Sequence, residues 1–142
     1  MCSSDLARAF DSVSWPFLLQ VLRARGFGDR WCAWIASILS SSSSKILVNG
    51  HASEQVWHRR GLRQGDLLSP LLFVLVMDVL AAMFNEAKAK GLFSPLVDFG
   101  VKFRLSLFAD DVALVVRPVD REIRVALQIF DLFGDASGLR VN

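Results

Sequence analysis

Asp110 and Asp111 are adjacent carboxylates set between two apolar runs, Leu105-Ser106-Leu107-Phe108 and Val112-Ala113-Leu114-Val115-Val116. Two anions at the join of two apolar strands repel each other and resist desolvation, unless a cation neutralises them or the turn stays open to water. A bound divalent metal ion removes that penalty. The plainer alternative is an ordinary hairpin turn, where aspartate accepts bonds from nearby backbone N–H groups. Mg²⁺ prefers oxygen ligands in near-octahedral geometry and usually takes carboxylates together with substrate phosphates, so further acids must converge. The candidates are Asp5 and Asp11, in Asp5-Leu6-Ala7-Arg8-Ala9-Phe10-Asp11. Here a strand runs into a loop and then a helix, a position from which a strand end can aim a carboxylate at a neighbouring turn. Asp5 is the better candidate, because Asp11 lies just before Ser14 and suits the positive end of the helix that starts there.

A second group of chemically capable residues is Gly61-Leu62-Arg63-Gln64-Gly65-Asp66. It combines guanidinium, amide and glycines, so its backbone can approach a flat or anionic ligand while Arg63 and Gln64 bind it. Taken alone, such a loop also fits a simple connection. Arg59, Arg60 and Lys45 suit the tracking of a nucleic-acid backbone or, equally, a solvated basic surface.

The elements that must position these groups are legible in outline. Residues before and including Asp5 read as a short strand. Ser14-Trp15-Pro16 reads as a helix start with Ser14 as N-cap and Pro16 in the first turn, followed by the stripe Phe17, Leu18, Val21 and Leu22. Gly26 and Gly28 break the pattern. Trp31, Trp34, Ile35 and Ile38 then fall on one face of a second helix, ended by the serine run Ser40 to Ser44. Lys45 to Val48 and Gln55 to His58 are extended runs separated by Asn49-Gly50, and they are expected to pair. A long helix capped by Ser69 and Pro70 is expected to reach about Lys90. Val101 to Phe108 and Val112 to Val116 suggest a second strand pair. Asp120 opens a last helix carrying Ile123, Leu127, Phe130 and Phe133, closed by Gly138 as a left-handed cap. Leu139 to Asn142 read as the beginning of a strand. The sum is an α+β layout with helices on an antiparallel sheet.

Length and composition fit this reading. A chain of 142 residues supports one hydrophobic core, and 53% hydrophobic against 21% charged residues is the opposite of a disorder signature. Sixteen Lys and Arg against fourteen Asp and Glu leave a net charge of +2, which neither demands nor excludes a polyanionic partner. Cys2 and Cys32 are the two cysteines, a weak case for a disulfide and a better one for free thiols in an intracellular chain. The run from Leu67 to Phe84 raises the question of a membrane span, but it includes Asp78 and Pro70 and reads as a core helix. Met1-Cys2-Ser3-Ser4 lacks the basic and apolar regions of a secretion signal.

Four segments also occur in a recognisable order: Asp5 to Trp15, Gly61 to Asp66 with Leu68-Ser69-Pro70, Phe108-Ala109-Asp110-Asp111, and Gly138 to Asn142. Together they resemble the successive palm motifs of reverse transcriptases, most of all those of non-LTR (LINE-type) retrotransposons, with group II intron enzymes as more distant relatives. The resemblance implies that residues 1–142 are a partial reverse transcriptase domain: an α+β palm, an antiparallel sheet with helices packed on one face, with fingers and thumb largely missing. It implies Asp5, Asp110 and Asp111 as catalytic acids, and Asp5, Asp110, Asp111 and the carbonyl of Leu6 as ligands of two Mg²⁺ ions, with Mn²⁺ as a substitute. By the same resemblance Ala9 and Phe10 lie at the incoming nucleotide, with Phe10 under its sugar; a core phenylalanine is the alternative. Arg63, Gln64 and Gly65 would touch template and nucleotide. The implied partners are an RNA template, a DNA primer and deoxynucleoside triphosphates, without a membrane, and the implied location is intracellular and nuclear.

Two positions depart from the family pattern: Leu67 stands where proline is usual, and Phe108 where tyrosine is commoner. Neither change removes a ligand. The fingers segment expected before Asp5, and the lysine-bearing remainder of the last motif and the thumb expected after Asn142, lie outside the sequence. The chain on its own is therefore expected to bind metal weakly and polymerise little. The competing expectation is a catalytically inactive retroelement remnant that binds nucleic acid or protein at most.

Overall fold

The computed structural model describes residues 9–95, 105–107 and 111–140 in full, and residues 2–5 and 108 through their backbone. Strand β1 (Cys2–Asp5) precedes a one-turn helix α1 (Ala9–Ser12), helix α2 (Trp15–Ala24) and helix α3 (Asp29–Ser40). Four short strands follow: β2 (Ser43–Ser44), β3 (Leu47–Val48), β4 (His51–Ala52) and β5 (Val56–Trp57). The long helix α4 (Ser69–Ala89), strands β6 (Leu105–Phe108) and β7 (Asp111–Leu114), and helix α5 (Asp120–Ser137) complete the order. The architecture is α+β, with every described ladder antiparallel.

The main sheet has the order β1-β7-β6, which places β7 in the middle. Along β7, Val112 and Leu114 are buried while Asp111 is exposed, the alternation of a sheet with one face on a core. Apolar side chains of α2, α3, α4 and α5 form that core, centred on Leu18, Leu22, Ile35, Val76, Leu80, Phe84 and Phe133. Phe84 stacks on Phe93 at 5.9 Å between ring centroids and meets Phe130 edge-on at 5.4 Å. The α4 helix is long and apolar enough to cross a membrane by length and composition alone. One of its faces, from Leu72 through Phe84 to Ala87, is nevertheless buried in this core, and Asp78 is ion-paired with Arg25, the residue that follows α2.

Ser14 caps α2 as its sequence suggests: its hydroxyl accepts the Phe17 N–H at 3.4 Å, and proline occupies the first turn. Gly138 ends α5 in the left-handed conformation, φ 82°. A side chain there would also run into the Ser12 carbonyl, while the Ser14 N–H donates to the Ser137 carbonyl at 2.7 Å. The end of α5 is thereby fastened to the turn between α1 and α2.

Several local expectations are corrected. The α1 turn was not anticipated. The Asn49-Gly50 turn, with φ 49° and 81°, joins β3 to β4, and Val56–Trp57 pairs instead with Ser43–Ser44. The inward face of α3 is Cys32, Ile35 and Leu39, leaving Trp31, Trp34 and Ile38 toward solvent. In α5 the inward residues are Ala126, Ile129 and Phe133, whereas Ile123 and Leu127 are exposed. The cap of α4 is the Asp66 carboxylate rather than Ser69, accepting the N–H groups of Leu68 at 2.9 Å and Ser69 at 2.5 Å. Cys32, by contrast, is the free thiol that its sequence suggests, and it is buried. Leu139 and Arg140 are not in a strand, and Val141, Asn142 and the run 101–104 lie outside the described residues.

Candidate active site

The ladder between β1 and β7 sets the register on which the acids depend. Cys2 opposes Leu114, Ser4 opposes Val112, and Asp5 opposes Asp111. Directly opposed positions on antiparallel strands share a sheet face. Asp5 and Asp111 thus occupy the face away from Val112 and Leu114, where the Asp111 side chain is exposed. On the other edge of β7, Asp111 opposes Phe108. Water can solvate Asp111 there without a cation, so its position does not by itself distinguish a metal ligand from a turn aspartate. Asp110 and Leu6, the other implied ligands, lie outside the described residues, as do Ala7, Arg8 and Ala109. Among the described residues no three His, Cys, Asp or Glu side chains converge as a metal cluster. The implied set consists of carboxylate and carbonyl oxygens, the donor type that Mg²⁺ and Mn²⁺ take.

Beyond β1, Ala9 is buried. Phe10 is half-buried and stacks on Phe73 of α4, with centroids 4.7 Å apart and planes 19° from parallel. One face of the Phe10 ring is therefore fixed against the core helix. Asp11 is exposed.

The loop from Gly61 to Asp66 is clamped to this same turn. The Gly61 N–H donates to the Val13 carbonyl at 2.8 Å, and the Leu62 N–H to the Phe10 carbonyl at 2.6 Å. The Trp15 indole N–H donates to the Gly61 carbonyl at 2.6 Å. Gly61 has φ 88°, and a Cβ there would lie 2.7 Å from the Asp11 carbonyl oxygen, so this contact requires glycine. Leu62 is buried beneath, while Arg63, Gln64 and Gly65 are exposed. The sequence-derived candidates thus divide into two groups, the loop donors and Phe10 around one turn and Asp5 with Asp111 on the sheet.

Two residues that hold this arrangement were missed from sequence. Trp15 reads from sequence as part of a helix start and as the end of the first family segment, with no role for its N–H, although an indole N–H close to a capped turn needs an acceptor when it is partly buried. Asp66 was read as part of the loop, although an aspartate shortly before a helix is a standard acceptor for the first N–H groups. Burial pushes its carboxyl up, but the Ser69 N–H and hydroxyl, the Leu68 N–H and the Arg63 guanidinium together outweigh this and hold it below the ordinary value of 3.8.

The family model described as reverse transcriptase (RNA-dependent DNA polymerase) matches residues 1–142. Among curated proteins, the chain is 35% identical over 123 residues to the Retrovirus-related Pol polyprotein from type-1 retrotransposable element R2 of Popillia japonica, covering 87% of this chain and 19% of that protein. It is 32% identical over 126 residues to the Retrovirus-related Pol polyprotein from type-2 retrotransposable element R2DM of Drosophila melanogaster, covering 88% of this chain and 11% of that protein. A third relative is the uncharacterized mitochondrial protein AtMg01250 of Arabidopsis thaliana, 36% identical over 90 residues, covering 62% of this chain and 70% of the relative. The chain thus spans less than a fifth of the length of the two R2 polyproteins.

Proposed function

The chain belongs to the reverse transcriptase (RNA-dependent DNA polymerase) family, and from that premise we propose that it is the palm portion of such an enzyme, transferring deoxynucleotides to a primer 3′-hydroxyl on an RNA template. The observation that supports this most is the direct opposition of Asp5 and Asp111 on neighbouring strands. It sets acids from two distant segments of a non-LTR-type chain side by side.

In this reading Asp5, Asp110 and the Leu6 carbonyl, with Asp111 beside them, hold two Mg²⁺ ions, or Mn²⁺ in their place. Such ions, when bound, lower the pKa of a hydroxyl nucleophile and stabilise the attacking and leaving oxygens of an in-line displacement. The primer 3′-oxygen attacks the α-phosphorus, the bond to the leaving pyrophosphate breaks, and the protein contributes mainly positioning. Phe10, braced by Phe73, walls the sugar of the incoming nucleotide beside Ala9. Arg63, Gln64 and Gly65 present guanidinium, amide and open backbone to the nucleotide and template base, on a loop that Gly61 and Trp15 hold in place. An intracellular, nuclear setting accompanies this reading.

Extension of a labelled DNA primer on an RNA template, with Mg²⁺ and deoxynucleotides, tests the proposal when run beside Asp110→Ala. A low yield is expected from the chain alone, abolished in the variant. No product from the intact chain would leave the alternative, a catalytically inactive retroelement remnant that binds nucleic acid or protein at most.

A further inference from the structure

We infer that Glu122 is a positioning residue for the paired acids: its buried carboxylate locks the register in which Asp5 faces Asp111. The consequence for chemistry rests on the reading of those acids as metal ligands, whereas the lock itself is tested without metal.

Glu122 is the third residue of α5 and is only 3% exposed. A glutamate at that position ordinarily reaches back to the N–H of the cap residue. Here the Val119 N–H donates instead to the Arg117 carbonyl at 2.7 Å, and the Glu122 carboxylate reaches past it. Its Oε1 accepts the Ser94 N–H at 2.8 Å, and its Oε2 accepts the Arg117 N–H at 3.3 Å. Arg117 Nη2 also donates to the Pro95 carbonyl at 3.0 Å. The Ser94 end is anchored, because Phe93 is buried and stacks on Phe84 of α4. The Arg117 end lies three residues beyond the last residue of β7. Glu122 therefore ties the exit of β7 to the core helix α4. A carboxylate taken out of water is stable there only while such donors stay in place.

Strand β7 needs such a tie. Its ladders to β1 and β6 are each four residues long, and the burial of one face opposes a slip of one residue but not of two. After a slip of two, Leu114 and Val116 would take the places of Val112 and Leu114, apolar for apolar, and Val116 already packs against the core. Ala113 would then face Asp5, and Asp111 would be carried about 7 Å along the strand. A slip the other way would bring Asp110 to the buried position of Val112, which desolvation opposes. Only the first direction needs a guard. In that direction the Arg117 N–H would travel as far as Asp111 and lose Glu122, so the tie admits a single register.

Disulfide trapping reads the register directly. Opposed Cα atoms on antiparallel strands lie about 4.5–5.5 Å apart, within the span of about 4.4–6.8 Å that a disulfide bridges. Ser3 opposes Ala113, and after the slip it would oppose Val115. In a Cys2→Ser background, Ser3→Cys with Ala113→Cys should therefore cross-link, and Ser3→Cys with Val115→Cys should not. Glu122→Gln keeps the side-chain volume but sets an amide NH2 against one of the two N–H groups. Its addition should raise the second cross-link about fivefold or more, the factor that one lost hydrogen bond is worth. Phe133→Leu, a core loss in the same helix away from the tie, should lower Tm and leave the pattern unchanged. A pattern in Glu122→Gln indistinguishable from that with Glu122 intact overturns the inference. If Glu122→Gln does not fold, amide exchange of the wild type decides. The Ser94 and Arg117 amides should open together with those of Val112 and Leu114, and their opening while the ladder stays protected overturns the lock. The two readings fail separately. Extension lost in Asp110→Ala with cross-links indifferent to Glu122 keeps catalysis and sinks the lock; cross-links that shift as expected, without extension or Mn²⁺ uptake, keep the lock and sink the metal reading.

Discussion

Asp5 and Asp111 are register partners across the β1–β7 ladder, although more than a hundred positions separate them in the chain. A slip of one residue would move Asp111 onto the face of Val112 and Leu114, which is buried. The burial of those two side chains therefore holds the acids in register, and core packing and the proposed chemistry depend on the same ladder.

The docking of the Gln64 loop rests on Gly61. Gly61→Ala combines a left-handed backbone with a Cβ driven into the Asp11 carbonyl, and should destabilise the fold by about 2–4 kcal/mol. Gly65→Ala has φ 91° but open space around it, and should cost only about 1–2 kcal/mol. Urea midpoints of the two variants check the difference, and equal losses would mean that the loop is not clamped.

Trp15→Phe keeps most of the ring and removes the N–H that reaches the Gly61 carbonyl. A loss of about 1–2 kcal/mol is expected, together with faster amide exchange at Gly61 and Leu62. Unchanged exchange at those amides would show that the indole does not anchor the loop.

Asp66 gives the start of α4 an acid sensitivity of defined sign. Its folded pKa is depressed below 3.8, so its contribution is fully present above that value and is lost as pH falls through the folded pKa. Asp66→Asn can still accept a backbone N–H and should be close to wild type at pH 7. The gap between the stabilities at pH 7 and pH 3 should narrow in the variant; an unaltered gap would remove Asp66 from the account.

Phe10→Ala removes the ring stacked on Phe73. From its half-buried position a loss of about 2 kcal/mol is expected. Under the proposed function, incorporation of ribonucleotides relative to deoxynucleotides should also rise. Loss of stability with selectivity intact would make Phe10 a packing residue alone.

Much of this could be read from residue order, because it depends on local chemistry. The Ser14 cap, the Gly138 stop and the two apolar runs flanking the acids each carry their own signal. Where two faces of a helix are both apolar, spacing alone does not select the buried one. In α3, Cys32, Ile35 and Leu39 turn inward and Trp31, Trp34 and Ile38 outward, and in α5 the stripe is displaced in the same way. The Asn49-Gly50 turn was legible, but its partner strand was not, since His51–Ala52 has little strand character until the turn places it against Leu47–Val48. Least legible were the contacts between distant segments, such as Gly61 on Asp11, the Trp15 indole on Gly61, and Ser44 on His58. Each depends on two chain segments meeting in space.

Titration of the chain with Mn²⁺, followed by the loss of the free-ion electron paramagnetic resonance signal, bears most directly on the paired acids as metal ligands. The wild-type chain should take up Mn²⁺ weakly but saturably, and Asp5→Asn and Asp110→Asn should each weaken uptake at least tenfold with the fold intact. Uptake that is identical in the wild type and both variants, or missing from a folded wild type, would contradict it.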